Sequence, residues 1–297
     1  MKDQIEKFLA YQGKIAVTCI QTTGLVEEAR KIHDLSPVAT AAFGRVLTMA
    51  ALMANDMKSE KDKLTIQIKG TGPLGMMVVT ANAQPTLKGY VANPQLDLPL
   101  NDIGKLDVGA AVGREGYINV IKDIGLKDPY IGICPIVSGE IAEDFAEYFA
   151  KSEQKNTAVA LGVLVDAQGV KSAGGYIITP MPDATSEEIT QIEQAIFQAG
   201  AISKMLDQNL SLLEIAQKVT GDDKLTPLDT NTKLAYQCDC SKEYMAQGLA
   251  SIGKQELQTM IEEDGRAELT CQFCHKQYHF TKQELQELLY QIGDGVK

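Results

Sequence analysis

Short stretches of the chain alternate between apolar and polar positions. Ile15, Val17 and Cys19 alternate with Ala16, Thr18 and Ile20, and Leu64, Ile66 and Ile68 alternate with Thr65, Gln67 and Lys69. A period of two marks a strand, and the second stretch has one wet face. Met76 to Thr80, Leu87 to Val91, Tyr117 to Lys122 and Val159 to Val165 are further strand candidates, and Gly70-Thr71-Gly72-Pro73 marks a turn. Helical periods are fewer here. One begins near Ser36, with Pro37 at the first position, where a missing N–H costs nothing. Its Ala, Gly and Met content predicts close packing under a sheet. Another, opened by Ser138-Gly139-Glu140, collects Ile141, Phe145, Tyr148 and Phe149 on one face. Glu140, Glu143, Asp144 and Glu147 line the other. That stripe reads as a solvated face favoured by the helix N-terminus rather than as a catalytic pair, since no histidine, lysine or glycine-rich loop accompanies it. Strands dominate without strict alternation with helices, which predicts an α+β core.

The pattern changes after Gly174-Gly175-Tyr176-Ile177-Ile178 and the prolines 180 and 182. Thr185 with Glu188 and Ser211 with Glu214 form capping boxes. Ile189, Ile192, Ile196 and Ala199 share one face of the first helix. Met205, Leu206, Leu212, Leu213, Ile215 and Val219 follow, and Gly221-Asp222-Asp223 ends the run. This two-helix connector is too apolar to stand in water alone and must lie on another surface. A last unit starts near Ala235. It has a helix with Met245 and Leu249, a second with Leu257, Met260 and Ile261 stopped by Gly265, a hairpin from Ala267 to Phe280, and a final helix with Leu285, Leu288, Leu289 and Ile292 capped by Thr281 and Glu284. The expected division is an α+β core over 1–180, a helical linker over 181–234 and a small C-terminal domain over 235–297.

Composition adds limits. The chain has 297 residues, 44% hydrophobic, enough for one large core and a smaller unit. Met1 to Lys14 lacks the apolar stretch of a signal peptide. Val38 to Met57 is the most apolar long segment, but Arg45, Asn55 and Asp56 interrupt it, so it reads as a buried helix and not a membrane span. A cytoplasmic protein without a membrane partner is the expectation. The net charge of −11 argues against nucleic acid as a partner.

The cysteines sharpen the picture. Cys19 and Cys134 stand alone in apolar stretches, whereas Cys238-Asp-Cys240 and Cys271-Gln-Phe-Cys274 are separated by thirty residues. In a reducing compartment such pairs point to metal or redox chemistry rather than to structural disulfides. Four thiolates match a closed tetrahedral zinc site. A site of Cys271, Cys274 and His279 with one further ligand is conceivable, but it leaves Cys238 and Cys240 without a purpose. His275 and His279 then lie outside the ligand set, and His33 reads as structural. A unit of this size draws about 3–5 kcal/mol from its own core. A structural zinc site contributes about 10–16 kcal/mol of apparent binding energy. Metal loss is therefore expected to unfold the unit. Oxidation is one route, because zinc-bound thiolates remain nucleophiles that oxidants convert to disulfides. The Cys271–Cys274 bridge closes a familiar ring, while Cys238–Cys240 closes a tighter, more strained one and is expected to form second.

These features meet in a resemblance. His33-Asp34-Leu35-Ser36-Pro37-Val38-Ala39-Thr40-Ala41-Ala42, Gly70-Thr71-Gly72-Pro73-Leu74-Gly75, Gly89-Tyr90-Val91 with Asn93-Pro94, Ser138-Gly139-Glu140-Ile141-Ala142-Glu143-Asp144 and the two cysteine pairs occur in order over essentially the whole chain. With them the sequence resembles the redox-regulated 33-kilodalton heat-shock chaperonins. The resemblance implies a holdase and not an enzyme: inactive when reduced and zinc-loaded, and activated when zinc is lost, the connector unfolds and unfolding clients bind, commonly as a homodimer. It carries the zinc ligands onto Cys238, Cys240, Cys271 and Cys274. Tyr244 departs from the family pattern, which has a basic residue there. Cys19 and Cys134 have no role in it and read as buried apolar residues.

Two other readings fit less well. A nucleic-acid-binding zinc module meets the wrong sign of charge, since residues 235–297 carry six Lys and Arg against ten Asp and Glu, a net of −4. A thiol oxidoreductase usually presents its Cys-x-x-Cys between a strand and a helix near the start of its domain, not beside a second pair near the end of the chain.

Overall fold

The computed structural model describes residues 3–228 and 233–294. From the N-terminus run β1 (Gln4–Ala10), β2 (Ile15–Gln21), α1 (Thr23–His33), α2 (Pro37–Ala54), β3 (Lys63–Gly70), β4 (Met76–Asn82) and β5 (Thr86–Val91). They are followed by α3 (Val108–Val112), β6 (Gly116–Asp123), β7 (Tyr130–Pro135), α4 (Ala142–Ser152), β8 (Ala158–Asp166) and β9 (Gly169–Pro180). Next come α5 (Ser186–Ala199), α6 (Ile202–Asp207), α7 (Leu212–Thr220), β10 (Thr226–Leu228) and β11 (Ala235–Tyr236). The chain closes with α8 (Lys242–Ser251), α9 (Lys254–Glu263), β12 (Arg266–Thr270), β13 (Gln277–Thr281) and α10 (Lys282–Asp294). The result is the expected α+β architecture, divided into a unit ending at Gln237 and one beginning at Cys238.

The first unit holds two sheets, ordered β10-β1-β2-β9-β8 and β11-β5-β4-β3-β6-β7. All their pairings are antiparallel except β11 on β5. Helix α2 packs on strands of both. Ser36 caps it through a bond from the Ala39 N–H, and nearly every residue from Val38 to Ala54 is buried. Its small residues permit this depth: a Cβ on Gly44 would come within 2.7 Å of Val26 and 2.9 Å of Val163. Among the described helices it alone is long and apolar enough to cross a membrane, and 89% of it is buried inside the protein. Arg45 interrupts the apolar run and pairs with Glu140 at 2.7 Å.

Both expected capping boxes form. The Glu188 and Glu214 N–H groups donate to the Thr185 and Ser211 hydroxyls, and each glutamate accepts from the cap N–H in return. The connector has three helices rather than two, because Gly200 (φ 78°) and Asn209 (φ 60°) break it twice. Its apolar face, Ile192, Ile202, Met205, Leu206, Leu212, Ile215 and Val219, packs on Phe8, Ala10, Ile15, Val17, Tyr176 and Ile178 of the first sheet.

Several expectations need correction. The acidic face of α4 is not a uniformly solvated stripe. Asp144 is buried and accepts N–H bonds from Val137, Ser138, Gly139 and Ile141. Those bonds fix the loop in which Ile141 takes φ 70°, so the helix starts at Ala142 and not at Ser138. His33, expected just before a helix, is the last residue of α1 and precedes α2. The boundary expected at 235 moves to 238, since Ala235 and Tyr236 pair with Thr86 and Leu87. Residues 229–232 of the expected linker and the Ile292 side chain lie outside the described residues.

Candidate metal centre

The second unit is built around a small core of Leu249, Leu257, Ile261, Tyr278, Phe280 and Leu285. Its hairpin pairs Ala267 with Phe280 and Leu269 with Tyr278, so Tyr278 and Phe280 turn inward while Gln277 and His279 face solvent. The turn between the strands carries Cys271 and Cys274. It is closed by bonds from the Cys271 N–H to the Lys276 carbonyl (3.0 Å) and from the His275 N–H to the Cys271 carbonyl (2.8 Å), with His275 at φ 58°. Cys238 and Cys240 come from the segment ahead of α8, whose start is capped by the Ser241 hydroxyl accepting from the Tyr244 N–H.

These segments bring four sulfurs together. Cys238 Sγ lies 3.7 Å from Cys271 Sγ, Cys240 Sγ lies 3.4 Å from Cys274 Sγ, and all four fall within 4.8 Å of one another. A disulfide needs about 2.05 Å, so all four cysteines are free thiols here. A tetrahedral tetrathiolate with bonds of about 2.3 Å has edges of about 3.8 Å. The spacing and the all-sulfur donor set fit a zinc-like ion, and no other His, Cys, Asp or Glu group of three or more among the described residues is placed to hold a metal. His279 is not part of the cluster: its Nδ1 lies 3.2 Å from Glu268 on the exposed side of the hairpin.

Electrostatics explain why a cation belongs here. Burial pushes the Cys238 and Cys274 thiols up. Burial acts on Cys240 in the same direction, but bonds from the Tyr278 hydroxyl and the neighbouring thiols outweigh it and bring Cys240 down to about 7. Tyr278 Oη sits 3.2 Å from Cys240 Sγ and 2.9 Å from the Cys240 carbonyl. Four negative sulfurs at these distances repel one another. A divalent ion held by Cys238, Cys240, Cys271 and Cys274 would offset that repulsion and order the loop at the same time. Lys276 lies over the Tyr278 ring and Lys242 over the Phe280 ring, adding positive charge nearby.

The cysteine spacing alone located this cluster. Tyr278 was missed, although its inward alternation with Phe280 in the hairpin signalled a buried ring beside the sulfurs. Tyr244 is exposed on α8. Cys19 and Cys134 are buried in the first unit, where burial raises both thiols. His33 is buried too, its Nε2 2.7 Å from Tyr236 Oη.

A family model described as Hsp33 protein matches residues 3–281. A 33 kDa chaperonin of Alkaliphilus metalliredigens is 45% identical over 97% of this chain and 99% of its own length. That of Clostridioides difficile is 45% identical over 98% and 100%. The crystal structure of a 33 kDa chaperonin (heat shock protein 33 homolog) from Thermotoga maritima is similar with a TM-score of 0.88, 38% identity, and coverage of 98% of this chain and 99% of that one. A four-cysteine centre closing an α+β protein, with these matches along nearly its full length, places the chain in the Hsp33 family of chaperonins.

Proposed function

We propose that this protein is a redox-controlled holdase: a binding protein, not an enzyme, that holds unfolding polypeptides under oxidative stress in the cytoplasm. The observation that carries the reading is the coexistence of a metal-competent thiol cluster with an apolar connector laid on the first sheet immediately upstream of it. In the reduced state Cys238, Cys240, Cys271 and Cys274 hold one zinc ion per chain. When bound, the ion supplies most of the folding energy of the unit from residue 238 onward.

Oxidation removes the ligands. Each disulfide takes two electrons from two thiolates, so the Cys271–Cys274 and Cys238–Cys240 bridges together consume two molecules of peroxide and leave four hydroxides. Disulfide sulfurs bind zinc poorly, and the cluster releases its ion. The C-terminal unit then keeps only its small core and unfolds. The connector helices, marginal without packing, loosen and uncover Ile192, Met205, Leu206, Leu212 and Ile215 together with the sheet face beneath them. Exposed apolar patches of several hundred Å² bind other apolar surfaces without sequence preference. The active form is a homodimer, with neither nucleic acid nor membrane as a partner.

The test follows zinc release, free thiols and suppression of aggregation of a heat-denaturing protein in one peroxide titration. The reading expects zinc and four thiols to be lost together as suppression appears. Full suppression by the reduced, zinc-loaded protein, or none after zinc release, contradicts it.

A further inference from the structure

Each sheet of the first unit ends, on one side, in a short strand supplied by the segment just ahead of the cysteine cluster. On β1, β10 lies antiparallel, with Leu228 opposite Lys7, Pro227 opposite Phe8 and Thr226 opposite Leu9. On β5, β11 lies parallel, and the Ala235 and Gln237 N–H groups donate to the Pro85 and Leu87 carbonyls at 3.1 and 2.8 Å. Both covers are minimal. β10 has three residues, all exposed, and β11 has two. Pro227 brings no N–H to its edge.

The opposite edges are guarded in another way. β8 carries a bulge between Leu164 and Val165 and has α4 and α6 packed on it. β7 follows Pro129 and ends on Pro135. Bulges and prolines keep edge strands from pairing. Neither β1 nor β5 contains one. Among the described residues, the strands that cover these two edges come from the connector.

We propose that the edges of β1 and β5 are where extended segments of an unfolding polypeptide pair, by strand addition, once β10 and β11 have left. The inference rests on the holdase reading and names its docking surface. Backbone N–H and C=O groups bind an extended chain regardless of its side chains, which suits partners with no common sequence. Apolar side chains of the added strand also find a place. Phe8 and Ala10 of β1 belong to the layer that Leu212, Ile215 and Val219 of α7 cover in this structure. The connector's own strands thus occupy the edges as a built-in substitute for the partner.

The test uses the full-length protein and, as probe, a reduced and carboxymethylated protein that cannot refold. Hydrogen exchange is read at those amides of residues 7–9 whose N–H faces β10 rather than β2, and at Gly89, whose N–H lies 3.2 Å from Tyr236 Oη in the closed form. In the reduced state these amides are expected to be protected. Oxidation and zinc release should speed their exchange at least tenfold, and the bound probe should slow it again by a similar factor, with residues 130–134 of β7 unaffected. If the oxidised protein holds the probe and suppresses aggregation while these amides stay fast, strand addition is overturned and the holdase reading stands. Amides that remain protected after zinc release also overturn it, because the edges are then never vacated. If no suppression accompanies zinc release, the holdase reading itself fails.

Discussion

Replacing Tyr236 with Phe isolates the tie that holds the last strand before the cysteines. The Tyr236 hydroxyl donates to the Gly89 carbonyl at 2.8 Å, accepts from the Gly89 N–H at 3.2 Å, and lies 2.7 Å from His33 Nε2. Phe keeps the edge-on ring packing against His33, whose centroid is 6.1 Å away at 87°. The variant therefore removes an oxygen and little else. It removes the partner of the N–H and carbonyl of the buried Gly89, and one partner among others of His33. Each of the two Gly89 groups so stranded costs about 1–3 kcal/mol. A net of about 2–4 kcal/mol is expected, which at 1.4 kcal/mol per decade lowers the ratio of docked to undocked β11 about 30- to 700-fold. Exchange of residues 233–237 in the reduced, zinc-loaded protein should accelerate by that factor, and less peroxide should be needed for half-maximal aggregation suppression. Exchange within twofold of the parent would refute the reasoning, since the hydroxyl would then contribute nothing to docking.

Three further outcomes follow from the same structure. Cys271→Ser with Cys274→Ser should abolish metal binding and leave residues 238–297 unfolded in the reduced protein, read by metal content and circular dichroism; a folded, metal-free unit would contradict this. In a peroxide time course quenched with a thiol-blocking reagent, the Cys271–Cys274 bridge should precede Cys238–Cys240, and a major early species holding only the latter would show that ring strain does not set the order. Glu27 is drawn from 4.5 down to about 2, mainly by its bonds from Arg30, with help from the Val170 N–H and against the opposing effect of burial. Because its folded value is depressed, its contribution is complete above about pH 4.5 and is lost as pH falls toward 2. Glu27→Gln should flatten the decline in thermal stability across that window, and an unchanged profile would count against the assignment.

Much of this is legible in the sequence. Leu64, Ile66 and Ile68 alternate cleanly because one face of β3 is buried and the other is wetter. The capping boxes at Thr185 and Ser211 are local chemistry, and local chemistry survives in sequence. The cysteine spacing located the candidate metal centre because tetrahedral ligation constrains spacing more tightly than packing does. What escaped depends on distant partners. β9 runs for twelve residues, but its glycines hide it. A Cβ on Gly174 would meet the Ile20 carbonyl at 2.3 Å, so close strand approach and not side-chain pattern defines that segment. Asp144 looked like one acid among several, and only the loop folded over it shows it to be a buried anchor. β10 and β11 are too short to have any period, yet they close two sheets.

The central claim is that losing the metal frees the connector from the first sheet. Hydrogen exchange across residues 181–228, followed while zinc is withdrawn by peroxide from the full-length protein, tests it most directly. The account predicts that α5, α6 and α7 lose protection in step with zinc release while β2, β3 and β9 keep theirs. Zinc release with unchanged protection throughout 181–228 would contradict it.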